Sequence, residues 1–357
     1  MRPDKHYPQI DTLRIIAALG VINFHWLSQH YLSLYGIDKS FDWGFGMFGV
    51  QLFFVLSGFL ISDILINNKE QNPNRGKTIF NFFVRRALRL FPVYFLFIAY
   101  LIIIKDQFVI ENVVWFLTYT ANVKFFLEGG LVDIWSNHLW TLSIEEQFYL
   151  LFPSILFFIP RKIEYVIPLI FIAIGIFTKE FSANKEVVFL LAPAQTDMLG
   201  IGILVALIKN KHNELYLRLS SSKLDIPVFL LLSANILLYY FFREDQIAAA
   251  LLPYLLMVTL GLIVLKTSSG YQGMAGKILE NSYLRYLGKI SYGLYVYHKV
   301  VPLSLVLIFN KIDIQIESVL LYYLMNLAIL FLISHFSWRV IESPFLKLKS
   351  RFEYSKG

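Results

Sequence analysis

IDTLRIIAALGVINFHWLSQHY, residues 10–31, is an apolar run long enough to cross a bilayer, yet it carries Arg14 and His25. About twenty apolar residues span a hydrocarbon core of roughly 30 Å, and an arginine inside one costs on the order of 2.5–3.5 kcal/mol on insertion scales. The two residues stand eleven positions apart. At about 100° per residue this is three turns and roughly 20°, so both leave one helix face, about 16 Å apart along the axis. A lone arginine can snorkel to headgroups and a lone histidine can cap a neighbouring helix. A fixed cation and a titratable imidazole sharing one face point instead to a functional site.

The remaining chain supports a membrane reading. Its 357 residues are 57% hydrophobic and only 16% charged, with 33 Phe and 21 Tyr, against about 25% charged in soluble proteins. Mean hydropathy is +0.59. The fold class that follows is all-α, a polytopic membrane protein with no soluble domain left over. Cysteine is absent, which excludes disulfides, thiolate metal sites and a cysteine nucleophile. The formal charge of +7 follows topology and is no sign of nucleic acid. MRPDKHYPQIDTLR lacks a small-residue cleavage site after its apolar continuation and reads as the approach to a retained first span.

Eleven apolar segments are candidates: 10–31, 45–66, 79–104, 110–126, 139–159, 163–178, 187–208, 225–242, 247–265, 288–310 and 316–341. Suppose the N-terminus is cytoplasmic and 110–126, with Glu111, Asn112, Asn122 and Lys124 at its ends, rests at the interface. The inner loops then hold nineteen basic residues, from Arg2 and Lys5 to Lys356, and the outer loops seven: Lys39, Lys105, Lys124, Lys179, Lys185, Arg243 and Lys311. A spanning 110–126 would turn later basic loops outward, against the positive-inside rule. About ten transmembrane helices with both termini cytoplasmic is the consistent topology. It comprises a membrane core over 1–342 and a short basic tail over 343–357.

Further polar residues acquire depths from this topology. Ser57 and Gly58 lie mid-span in the second segment, where small residues let helices approach. In NFFVRRALRLFPVYF, Arg85 and Arg89 are four apart and share a face. With Arg14 they form a candidate phosphate site, since guanidinium forks match phosphate oxygens, while Arg86 reads as an inner anchor. In HLWTLSIEEQFYLLFP, His138 and Glu145 share a face and Glu146 turns away. Asp197, deep in its segment after Pro193, needs a partner. Ser291, His298 and Lys299 sit on a Tyr-rich helix; His335, Arg339 and Glu342 close the last one, Arg339 and Glu342 spaced to pair.

The blocks LRIIAALGVINFH (Leu13 to His25), FGVQLFFVLSGFLIS (Phe48 to Ser62), RRALRLFPVYF (Arg85 to Phe95), HLWTLSIEEQFYLLFP (His138 to Pro153), SYGLYVYH (Ser291 to His298) and IESP (Ile341 to Pro344) stand in one order along the whole chain. Together they resemble the acyltransferase 3 family, integral membrane acyltransferases of bacterial surface and secreted glycans. The resemblance implies a ten-span core in the bacterial cytoplasmic (inner) membrane. It also implies an acyl-CoA donor approached from the cytoplasm, acetyl-CoA foremost, and a glycan or lipid-linked sugar acceptor met on the other side. The family's arginine and histidine of the first span fall on Arg14 and His25, its inner arginine motif on Arg85, Arg86 and Arg89, and its fifth-span acid on Glu145. The family's arginine before the Asp197 block is replaced here by Pro193, Ala194 and Gln195. An added extracytoplasmic esterase-like domain, frequent in the family, is not expected within these residues.

These readings converge on O-acyl transfer. His25 is the candidate base, with Glu145 orienting it or stabilising its protonated form in the manner of a triad. Arg14, Arg85 and Arg89 would bind donor phosphates, with Arg86, Ser57, His138, Asp197 and His298 supporting; no metal is called for. Direct transfer and an acyl-histidine intermediate both remain open. The alternative is a transporter or flippase of lipid-linked sugars, which predicts pseudo-symmetric halves with matched broken helices, and no such repeat is visible in the sequence.

Overall fold

A computed structural model describes residues 6–28, 32–33, 45–72, 74–242, 245–313, 316 and 318–354. The end of the first apolar run at Tyr31, and the loop cations Arg2, Lys5, Lys39, Arg243 and Lys356, lie outside the described residues. Every regular element among the described residues is helical. In chain order the α-helices are α1 (Pro8–Trp26), α2 (Phe45–Gln71), α3 (Arg75–Ile103), α4 (Gln107–Glu111), α5 (Val113–Leu117), α6 (Ala121–Leu127), α7 (Leu139–Phe158), α8 (Val166–Phe181) and α9 (Thr196–Lys211). They continue as α10 (Asn213–Leu219), α11 (Asp225–Phe242), α12 (Gln246–Ser269), α13 (Gly273–Leu279), α14 (Ser282–Lys289), α15 (Ser291–Tyr297), α16 (Val300–Lys311), α17 (Val319–Ser337) and α18 (Ser343–Lys347).

Local chemistry sets several of these boundaries. Pro8 opens α1, where its missing N–H costs nothing, and Asp11 complements the positive end of the helix. Asn74 accepts from the Lys77 amide at the start of α3, and Asp245 accepts from Ile247 and Ala248 at the start of α12. Segment 110–126 is divided among α4, α5 and α6, helices of 5, 5 and 7 residues, none long enough to span. Left-handed φ values of 62° at Lys105 and 53° at Tyr119 mark the turn before this region and the turn between α5 and α6. Gln147 of α7 holds the second of these turns by donating to the Tyr119 carbonyl at 2.9 Å.

The protein is a multi-pass membrane protein. Among the described residues, six helical stretches are long and apolar enough to cross a membrane, and α15 with α16, bent by 45°, makes a seventh if read as one broken span. Of the other segments expected to cross, α8 has 16 residues, while α1 and α7 carry Asp11 with Arg14 and Glu145 with Glu146 inside 19 and 20 residues. Large apolar side chains cover the outside of the bundle: Leu169, Ile170 and Phe177 on α8 and Ile226, Phe229 and Leu230 on α11 are exposed, as a lipid-facing surface requires.

At the centre lies α2, packed against α1, α7, α9 and α12. Its closest approach is to α9: a Cβ added to Gly58 would stand 2.2 Å from the Leu199 carbonyl oxygen, and one added to Gly202 would stand 2.3 Å from that of Val55. Backbone meets backbone here because neither residue has a side chain. The basic tail is seated on α3, where Asn81 donates to the Glu353 carbonyl at 2.7 Å.

Candidate active site

The helix α1 is unbroken from Pro8 to Trp26, so the sequence spacing holds Arg14 and His25 about 16 Å apart along its axis. Each belongs to a different cluster, and a cleft starts at the first. Its lining includes Arg14, Ser57, Arg86, Arg89, Thr141, Glu145, Tyr149, Ser291, Tyr292 and Tyr295, drawn from α1, α2, α3, α7 and α15.

At the arginine end, Arg14 Nη1 donates to Asp11 Oδ1 at 2.9 Å, one turn back on the same helix. Arg86 lies over the Tyr149 ring at 5.7 Å and the Phe82 ring at 5.5 Å. Neither Arg86 nor Arg89 forms a side-chain hydrogen bond among the described residues. The cation that leaves the expected trio is Arg85: it donates to the Lys349 carbonyl at 3.3 Å and lies 5.0 Å from the Tyr354 ring, on the tail. Arg86 takes its place beside Arg14 and Arg89. The four-residue spacing of Arg85 and Arg89 correctly described a shared face, but Arg86 and Arg89, three apart, share one too, and packing selects that one.

Glu145 is the carboxylate of the cleft. Ser57 Oγ donates to its Oε1 at 2.7 Å, Tyr149 Oη lies 3.2 Å from Oε2, and the two hydroxyls are 3.1 Å apart. The expected pairing of Glu145 with His25 is not formed: the acid sits among the arginines, and an imidazole partners His25. Asp197 lies elsewhere, paired with Lys179 at 2.6 Å and accepting from the Met198 amide. Arg339 and Glu342 do not pair with each other among the described residues.

On the other side of Tyr295, outside the residues that line the cleft, stands a histidine cluster. The Tyr295 hydroxyl meets Thr141 Oγ1 at 2.5 Å and the His138 carbonyl at 3.2 Å. Its ring centroid is 5.6 Å from that of His298 and 5.8 Å from that of His138. His298 Nε2 and His25 Nδ1 are 2.9 Å apart, and His298 Nδ1 lies 2.5 Å from the Tyr295 carbonyl oxygen. His138 Nε2 lies 3.1 Å from the Val296 carbonyl oxygen, and its buried Nδ1 has no partner among the described residues. Lys299 is buried beside them and donates to Asn137 Oδ1.

This cluster forms where α15 gives way to α16. Pro302 has no N–H, so the His298 carbonyl four residues before it has no helical donor; Trp26 Nε1, next to His25 in sequence, fills the gap at 2.7 Å. The carbonyls of Tyr295, Val296 and His298 thus receive ring N–H groups from His298, His138 and Trp26, satisfying backbone that the broken helix exposes.

Of the residues singled out from sequence, Arg14, Arg86, Arg89, Ser57 and Glu145 line the cleft, and His25, His138 and His298 gather beside Tyr295, outside its lining. Asp11, Tyr149, Thr141 and Tyr295 went unnoticed. The first two had a signal, standing three residues from Arg14 and four from Glu145 on the same helix faces. Thr141 and Tyr295 had none, because they meet across 154 positions.

The acyltransferase 3 profile, described as an acyltransferase domain, matches residues 7–335. The peptidoglycan O-acetyltransferase OatA of Listeria monocytogenes is 28% identical over 382 residues, covering 99% of this chain and 58% of its own. The O-acetyltransferase OatA of Staphylococcus aureus (strain NCTC 8325 / PS 47) is 26% identical over 379 residues, covering 97% of this chain and 58% of its own. The chain therefore spans less than two thirds of the length of these relatives. No solved structure matches. With the profile extending from the start of α1 into the last turn of α17 and so across the cleft and the histidine cluster, the chain belongs to the acyltransferase 3 family.

Proposed function

We propose that the protein is an O-acetyltransferase that moves an acetyl group from cytoplasmic acetyl-CoA to a hydroxyl of a cell-surface or lipid-linked glycan. The observation that carries this reading is a pair of neighbouring clusters: three guanidinium groups line a cleft with Glu145, and Tyr295, which lines the same cleft, packs against the histidine cluster that holds His25. Supporting it are the O-acetyltransferase names of the relatives, one of which is a peptidoglycan O-acetyltransferase. In the proposed topology ten helices cross the cytoplasmic membrane with both termini inside. Arg14, Arg86 and Arg89 then face the cytoplasm, and His25 lies towards the outer side.

Arg86 and Arg89, without side-chain hydrogen bonds among the described residues, suit the phosphates of a polyanionic donor. The roughly 16 Å along α1 suits an extended pantetheine arm. His25 takes the proton of the acceptor hydroxyl as its oxygen attacks the thioester carbonyl carbon; the carbon–sulfur bond breaks, and the thiolate leaves and takes up a proton. A positioned base contributes about 10²–10⁴-fold. The test compares glycans from cells expressing the intact chain or His25→Ala, at equal membrane levels, by mass spectrometry for an alkali-labile acetyl increment. The increment is expected only with the intact chain; its persistence in the variant would make His25 structural.

A further inference from the structure

The hydrogen-bond directions around the α15–α16 break specify more than proximity. A backbone carbonyl only accepts, so His298 Nδ1, 2.5 Å from the Tyr295 carbonyl oxygen, carries a proton. In a neutral imidazole the other nitrogen is then an acceptor, and that nitrogen, Nε2, stands 2.9 Å from His25 Nδ1. His25 Nδ1 must therefore be the donor, and the lone pair of His25 resides on Nε2. We propose that His298 is a positioning residue that fixes His25 in the tautomer whose Nε2 is the base, through a chain running from the Tyr295 carbonyl to His298 to His25.

The surroundings make this chain rigid. His298 is wholly buried, and its own carbonyl is tied to α1 by Trp26, one residue beyond His25. The imidazole of His138 stands 5.0 Å from that of His298, held against the Val296 carbonyl by its Nε2. The other groups around the ring are Tyr295, whose ring is 5.6 Å away, and the buried ammonium of Lys299. A carboxylate in this position would both orient His25 and neutralise its cation. A histidine whose own Nδ1 is committed to a carbonyl supplies orientation while adding no charge.

This deepens the acyl-transfer reading and rests on it for the catalytic consequence; the tautomer is measurable without turnover. The experiment is ¹⁵N solid-state NMR of histidine-labelled full-length chain in lipid bilayers, with His25 assigned by the signal lost in His25→Gln. The expected result is protonated Nδ1 and unprotonated Nε2 at His25 in the intact chain. In His298→Leu that preference should be lost, and in His298→Gln, whose Oε1 can accept where Nε2 stood, it should be restored. Alongside, kcat should fall about 10²-fold in His298→Leu, with the donor KM within twofold and most of the loss recovered by His298→Gln. His25 protonated on Nε2 in the intact chain would overturn the proposal, as would a tautomer unmoved by His298→Leu. Absence of acetyl transfer from the intact chain, with the NMR pattern as expected, would instead count against the acyl-transfer reading.

Discussion

Arg85 and Arg86 are neighbours in sequence with opposite surroundings. Arg85 is spent on the tail, against the Lys349 carbonyl and the Tyr354 ring, whereas Arg86 lines the cleft with Arg14 and Arg89. Hydrogen bonds to charged groups contribute about 1.5–3 kcal/mol each, which is roughly 10- to 150-fold in affinity. Arg86→Ala and Arg89→Ala should each raise the donor KM by about tenfold or more, while Arg85→Ala leaves it within about threefold. Initial-rate kinetics over a range of donor concentrations decides this. A larger effect from Arg85 than from Arg86 would return the phosphate site to the arrangement expected from helix spacing alone.

The contact between α2 and α9 matters to the site because α2 carries Ser57, the donor to Glu145. The residue beside it, Gly58, touches the Leu199 backbone, and a backbone oxygen cannot swing aside as a flexible side-chain end can. Overpacking of this kind costs about 1–3 kcal/mol. Gly58→Ala should therefore lower the thermal unfolding midpoint of the detergent-solubilised protein by several degrees. It should also reduce kcat, because separating α2 from α9 shifts Ser57 relative to α7. An unchanged midpoint would mean the two helices part without penalty. The α15–α16 break is the complementary case, in which a local defect, marked by Pro302, gathers the rings of Trp26, His138 and His298.

For the molecule as a whole, the arrangement of crossings decides which end of the cleft meets the donor. The absence of native cysteine makes single introduced cysteines unambiguous reporters. Ten crossings predict that Gly129→Cys and Lys185→Cys react with a membrane-impermeant maleimide in intact cells, and that Lys223→Cys reacts only after permeabilisation. If 110–126 crossed instead, Lys185 and Lys223 would exchange behaviour. The three short helices α4, α5 and α6 argue for the first outcome.

The sequence by itself determined the helical membrane class and the common face of Arg14 and His25, because helical periodicity and hydropathy are local properties carried by neighbouring residues. The ordered motif blocks were legible for the same reason, whereas the interfacial placing of segment 110–126 came from the distribution of basic loops, and its division into three short helices only from the structure. Only the tertiary structure decided that Arg86 displaces Arg85, that Asp197 belongs with Lys179, and that Glu145 joins the arginines while His298 joins His25. Two adjacent positions on one helix differ by about 100° of rotation, and which of them meets the cleft depends on packing against helices far away in the chain. His25 and His298 are 273 positions apart, and no local pattern encodes that their nitrogens meet.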